Sequence, residues 1–189
     1  MTTSVKSKKS SAQSSSPKAG LYLLFAELIH REIDTKLLDL LRQPEILAGF
    51  TEVEPSCADY LTKDWSESDY ENAAVDFCDL FIMPESGSAP RAAAWLEMGG
   101  ELTAEAVDAV VNQFITEWKV EVPPSYQYLA HDHLSLIFYL TVVIAEQDQT
   151  LADEFEAAVL SPWIGRFGES LASSSSPVYK ALGVMLGSS

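Results

Sequence analysis

The stretch YQYLAHDHLSLIFYLTVVIAEQ, residues 126–147, decides how the rest of the chain is read. Two histidines flank Asp132. From Leu134 to Ala145 the run is apolar apart from Ser135 and Thr141. A transmembrane helix needs about twenty apolar residues to cross the hydrocarbon layer, and this run is too short. A helix apolar on every side but unable to span a membrane is one enclosed by its neighbours. The stretch therefore predicts a central core helix and a helical domain built around it.

Helical spacing continues in both directions. Leu21, Leu24, Phe25, Leu28 and Ile29 mark one face of a first helix that can run to about Gln43, ahead of Pro44. Ser68 with Glu71 has the spacing of a capping box, followed by Tyr70, Ala74, Phe77 and Phe81 at intervals of three and four. Val107, Val110, Val111, Phe114, Ile115 and Trp118 form a stripe for which Thr103 is a suitable cap. Pro123-Pro124 stops the chain before the opening stretch. Beyond it, Leu151, Phe155, Ala158 and Val159 predict a short helix. Pro162 opens another with Trp163, Ile164, Phe167 and Leu171 inward. After the linker Ser173–Ser176, Pro177 opens a last one with Tyr179, Leu182 and Leu186. Neither period-two alternation nor a hairpin turn signal is present. The expected fold is all-α, a single globular domain of roughly eight to ten helices.

The 189 residues suit one domain, and 47% hydrophobic residues can fill a core. Residues 1–19, MTTSVKSKKSSAQSSSPKA, differ in kind: Ser and Lys dominate and no acid appears. They predict a disordered tail, with 20–189 as the folded domain. Glu27 interrupts the apolar run that follows and no small-residue cleavage site comes after it, which argues against a secretory signal. The formal charge is −16, and −20 for residues 20–189 alone. Nucleic-acid binding needs phosphate-neutralising cations, so it is not expected. Basic partners suit the charge, and so does mere solubility. Cys57 and Cys78 form no CxxC pair or disulfide framework and read as small buried hydrophobes in a reducing compartment.

Signals for chemistry are sparse. P-loop, GxGxxG, GxSxG and HExxH patterns are all absent, and the sequence around Ser88 lacks the strand–turn–helix setting of a nucleophile elbow. His131 and His133 would point about 200° apart on a helix and could share a metal only in an extended segment. Asp132 and His133 have two readings. In one, the aspartate caps the core helix and suits its positive end, beside a partly buried ring. In the other, the pair is a polar recognition point at the edge of an apolar groove. Three segments could line that groove: Phe77, Leu80 and Phe81 interleaved with Asp76 and Asp79; Trp95 in APRAAAWLEMGG; and the Tyr126–Tyr128 region. Acids interleaved with aromatics suit an apolar peptide that carries basic residues.

DFCDLFIMP, APRAAAWLE, DHLSLIFYL, LSPWIGRFGESL and PVYKALGVML, in that order, resemble the TorD/DmsD family of redox-enzyme maturation chaperones. The resemblance covers roughly residues 20–186. Asp132-His133-Leu134 before a long apolar helix is its most specific part, supported by Leu80-Phe81 and by Trp163 with Phe167. Ala130 or His131 replaces the family's frequent proline, Ile137 or Phe138 stands at an acidic position, Trp95 replaces Tyr, and Ala93 replaces Ser. These departures leave the subfamily and its client open.

The resemblance implies a cytoplasmic helical chaperone with neither catalytic chemistry nor a resident cofactor. Its partner would be the twin-arginine signal peptide of a molybdenum-cofactor oxidoreductase, such as a dimethyl sulfoxide or trimethylamine N-oxide reductase. The chaperone would assist cofactor insertion and delay export. Family resemblance also links some members to GTP binding and to domain-swapped homodimers, for which Glu121–Ser125 is a plausible hinge. For the signal peptide, Leu80, Phe81 and Trp95, together with Tyr126, would form the groove wall. Asp132 would accept from an arginine or from peptide backbone, and His133 would orient Asp132 or donate to the peptide. Two rival readings are a docking scaffold without signal-peptide specificity and an enzyme using Asp132 and His133 as an acid–base pair.

Overall fold

The structure, a computed structural model, describes residues 17–83, 87–96 and 102–187. Leu134–Ala145 forms helix α7, and nine of its twelve residues are buried. Its two polar members are satisfied internally: Ser135 Oγ donates to the carbonyl of Ala26 (2.9 Å) and Thr141 Oγ1 to that of Ile137 (2.9 Å). An apolar environment demands such pairing, because an unmatched buried hydroxyl costs about 1–3 kcal/mol. Helix α1, Pro17–His30, packs along α7, with Ala26 fully buried at the contact and Tyr22 against Phe138 at 4.8 Å between ring centroids. Helix α8, Gln149–Val159, also packs on α7.

Helices α9, Ser161–Ala172, and α10, Pro177–Gly187, make the most extensive pairing between elements. Gly168 and Gly183 permit it. A Cβ on Gly168 would lie 2.5 Å from the Gly187 nitrogen, and one on Gly183 would fall on the backbone of Ala172. Helix α10 in turn covers α3, Pro44–Val53, and α4, Ser56–Thr62. There the Cys57 thiol points at the Pro177 carbonyl (3.3 Å) and Lys180 pairs with Glu54 (2.6 Å). Cys57 is fully buried, whereas Cys78 is half-buried. The remaining helices are α2, Thr35–Leu41, α5, Glu67–Phe77, and α6, Ala104–Glu117. The all-α expectation and its central apolar helix hold: among the described residues there are ten α-helices and no strand, only an isolated bridge between Arg91 and His133.

Several boundaries differ from the reading of the sequence. The first helix does not reach Gln43. It ends at His30, and Asp34 starts α2 by accepting from the Leu37 amide (2.8 Å). Arg31 spans the break, pairing with Glu27 (2.6 Å) and Asp34 (2.7 Å). The capping box uses Ser66 and Asp69 rather than Ser68 and Glu71: the Asp69 carboxylate accepts from the Ser66 amide and hydroxyl at 2.8 and 2.7 Å. The helix begins two residues earlier, so Ser68 already lies inside it. Past Phe77, α5 continues as a π turn over Cys78–Ile82, closed by Met83 N–H to the Cys78 carbonyl (3.0 Å). Thr103 caps α6 as expected, accepting from the Ala106 amide (3.3 Å).

Helix α1 starts at Pro17, inside the segment read as tail; residues 1–16 lie outside the described residues, as do Pro84, Gly99 and Gly100. Among the described residues no helix is long and apolar enough to cross a membrane.

Candidate functional site

The end of the loop before α7 and the segment 87–96 are clipped together. Ala92 N–H donates to the Asp132 carbonyl (3.1 Å), and Leu134 N–H donates to the Pro90 carbonyl (2.9 Å). A single turn of 3-10 helix, Ala92–Ala94, follows the clip. Its first amides face the aspartate: Ala93 N–H donates to Asp132 Oδ2 (3.1 Å). Arg91 closes the other side, with Nε 2.9 Å and a terminal nitrogen 2.8 Å from Oδ1. Asp132 is only 2% exposed, whereas the Arg91 side chain is 51% exposed. A buried carboxylate is thus held by a guanidinium whose other side meets solvent. Removing one partner of such a pair typically costs 3–5 kcal/mol, because the remaining charge stays buried.

His133 is the cap of α7. Its Nδ1 accepts from the Ser135 amide (3.2 Å), which requires the neutral ring. Burial, with His30 nearby, pushes its pKa down to about 4 despite Asp132. Of the two readings of this pair, the capping role belongs to the histidine. The aspartate turns instead to Arg91 and Ala93, so the carboxylate and the imidazole do not form an acid–base couple with each other.

Trp95 belongs to the same clip. Its indole donates to the Ala89 carbonyl (2.8 Å) and its ring meets Phe167 of α9 edge-on at 5.9 Å. Ser88 and Gly87 are tied to α9 through Ser170, whose hydroxyl lies 2.9 Å from Ser88 Oγ. Tyr126 is buried, at 4% exposure, and donates to Glu27 Oε1 (2.9 Å). Its ring touches His30 (5.0 Å) and Tyr139 (5.7 Å). Burial and the Glu27 carboxylate hold its hydroxyl far above the ordinary phenol range, so it stays a donor. Leu80 is half-buried, and Phe81 is turned inward between Phe77 (5.3 Å) and Tyr179 (5.2 Å). Trp95, Asp132 and His133 therefore share one clip and Tyr126 sits beside α1, while Phe81 joins the core against Tyr179 of α10 and Leu80 packs half-buried on that core.

Among the described residues, no group of three or more His, Cys, Asp and Glu side chains is placed to hold a metal ion. His131 stands 3.5 Å from Asp108, away from His133's cap contact.

A family model described as nitrate reductase delta subunit matches residues 43–169, more than half of the chain. The chain belongs to this family of redox-enzyme maturation chaperones. The family member has the same fold as a crystal structure from Archaeoglobus fulgidus described as a candidate redox enzyme maturation protein. That structure is 15% identical, covers 96% of this chain and 98% of its own, and has a TM-score of 0.55. No curated protein matches the chain.

Two groups in this candidate site escaped the sequence reading. Arg91 sits within APRAAAWLE, a segment singled out for its tryptophan alone. Glu27 was visible only as a charge interrupting an apolar run. That interruption was the available signal, since a carboxylate interrupting an apolar helical run and left partly buried needs a partner.

Proposed function

We propose that this protein is a cytoplasmic chaperone that binds the twin-arginine signal peptide of a molybdenum-cofactor oxidoreductase, assists cofactor insertion and delays export. Membership of the maturation family supports the general role. The observation that carries the specific reading is the Arg91–Asp132 fork: the chain already recognises a guanidinium at the lip of its core helix. A client arginine would take the place of Arg91, which is half in solvent and returns there when displaced. Guanidinium–carboxylate pairs of this kind are directional as well as charged, so the exchange favours arginine over lysine. Leu80 and Trp95 would offer apolar faces to the rest of the peptide, with Phe81 and Tyr126 backing them and His133 holding the helix end in place.

The test is calorimetry with a synthetic peptide carrying an arginine pair before an apolar stretch. Asp132→Asn is expected to weaken binding about tenfold, the loss of one charge-assisted contact, with the helical circular dichroism unchanged. Arg91→Ala, which vacates the carboxylate, is expected to tighten it. Unchanged binding in both variants would leave Asp132 a purely structural anchor. Equal affinity for a lysine-pair peptide would favour a docking scaffold without signal-peptide specificity.

A further inference from the structure

Asp132 and Glu27 differ in what surrounds them. Asp132 is enclosed and filled from within. Glu27 lines an open cavity of about 280 Å³ together with Leu23, Pro123, Ser125, Tyr126 and Tyr139. We infer that this cavity is a second guanidinium site, taking one arginine of the client's basic pair while Asp132 takes the other. The inference rests on the signal-peptide reading above.

Three features of the cavity suit an arginine side chain. First, the carboxylate has capacity left. An ionised carboxylate offers about four acceptor positions. Glu27 uses one oxygen for the Tyr126 hydroxyl (2.9 Å) and the other for Arg31 Nε (2.6 Å). Second, Arg31 is not orphaned when a guest arrives, because Asp34 also holds it, at 2.7 Å. Third, the walls match the two ends of the guest. The partly exposed ring of Tyr139, backed edge-on by the buried Tyr126 at 5.7 Å, presents aromatic surface on which a planar guanidinium stacks, and Leu23 and Pro123 give its methylene stem apolar contact. Tyr139 is fixed in place by its hydroxyl bond to the Glu121 carbonyl (3.0 Å).

The two sites are joined through one hydrogen bond. Ser135, three residues after Asp132, donates to the carbonyl of Ala26, the neighbour of Glu27. His30, one turn after Glu27, touches Tyr126 and influences His133. On the signal-peptide reading, this shared packing would bring both carboxylates within reach of a peptide with adjacent arginines.

The experiment compares four peptides, with Arg-Arg, Arg-Lys, Lys-Arg and Lys-Lys before the same apolar stretch, against wild type, Glu27→Gln, Asp132→Asn and the double variant. Gln keeps an acceptor for the Tyr126 hydroxyl, so the fold is expected to survive; circular dichroism checks it, and Tyr139→Leu provides a second variant that removes the stacking surface, with its hydroxyl bond to the Glu121 carbonyl, and leaves Glu27 in place. The expected result is a loss of about tenfold for Glu27→Gln on the Arg-Arg peptide. That loss should vanish for one of the two single-lysine peptides, while the Asp132→Asn loss vanishes for the other. Wild-type affinity in both Glu27→Gln and Tyr139→Leu, with Asp132→Asn impaired, overturns the second site and leaves the chaperone reading standing. If wild type binds none of the peptides, the chaperone reading fails, and N-acetyl-arginine amide becomes the probe of the cavity. Shifts of the Tyr126 and Tyr139 ring resonances that are lost in Glu27→Gln support the site, and their absence overturns it.

Discussion

His133 is held neutral by the place it occupies. Its ring is largely enclosed, Nδ1 is committed to the Ser135 amide, and Arg91 and His30 nearby oppose a positive charge more than Asp132 favours one. The folded chain accepts a proton there only near pH 4, whereas an unfolded histidine does so near pH 6.5. Stability from this group is therefore complete above about pH 6.5 and is lost as pH falls toward 4. Between pH 7 and pH 5 it contributes a loss of about 2 kcal/mol. His133→Asn keeps a capping acceptor and cannot titrate, so its urea midpoint is expected to move less over that interval; an equal pH dependence in both proteins would show that the ring is already charged in the fold. His30, whose pKa burial also lowers, contributes in the same direction in both proteins. At this scale the sequence placed Asp132-His133 at the start of α7 but could not divide their tasks. Which of them caps the helix depends on where the 87–96 segment returns, and that contact spans about forty residues of chain.

Helix pairs are governed by residues with no side chain at all. At the α9–α10 crossing, backbone meets backbone, so a methyl group at Gly168 or Gly183 has nowhere to go. Overpacking that forces such elements apart costs about 1–3 kcal/mol. Gly165, on the same helix, has open space around the position of a Cβ. Gly165→Ala is expected to raise stability by up to about 1 kcal/mol through helix propensity alone, with Gly168→Ala and Gly183→Ala lowering it by about 3 kcal/mol. Thermal unfolding of the three variants checks the order; a stable Gly183→Ala would mean that the two helices can separate freely. Helices α6 to α10 were readable from their period, and α6, α9 and α10 also from a threonine or proline start, because those signals are local. The break between α1 and α2 was not, since a single Asp34 cap and the Arg31 bridge decide it within an otherwise continuous apolar period. The π turn after α5 carried no sequence signal either. It adds a residue to the turn and delivers Phe81 inward, leaving Ile82 61% exposed.

Across the whole molecule the excess of acid would set how the proposed basic partner arrives. A field from −20 charges on residues 20–189 accelerates encounter with a cationic peptide, and salt shortens its reach to about 8 Å at physiological strength. Stopped-flow association of the arginine-pair peptide is expected to slow about tenfold between low and high salt, with dissociation nearly unchanged. Salt-independent association would assign recognition to the apolar contacts alone. The hydrophobic period and the length of one apolar run determined, without any tertiary information, that the chain is helical and wraps a buried axis, because burying a helix on all sides demands neighbours whatever their order. Only the folded structure decided which carboxylate is enclosed and which lines an open cavity. Arg91 reaches Asp132, and Tyr126 with Tyr139 frames Glu27, through contacts between residues about 40 to 110 positions apart. Pairings at that distance leave no periodic trace in the sequence, since the chain between them can fold in many ways before packing selects one.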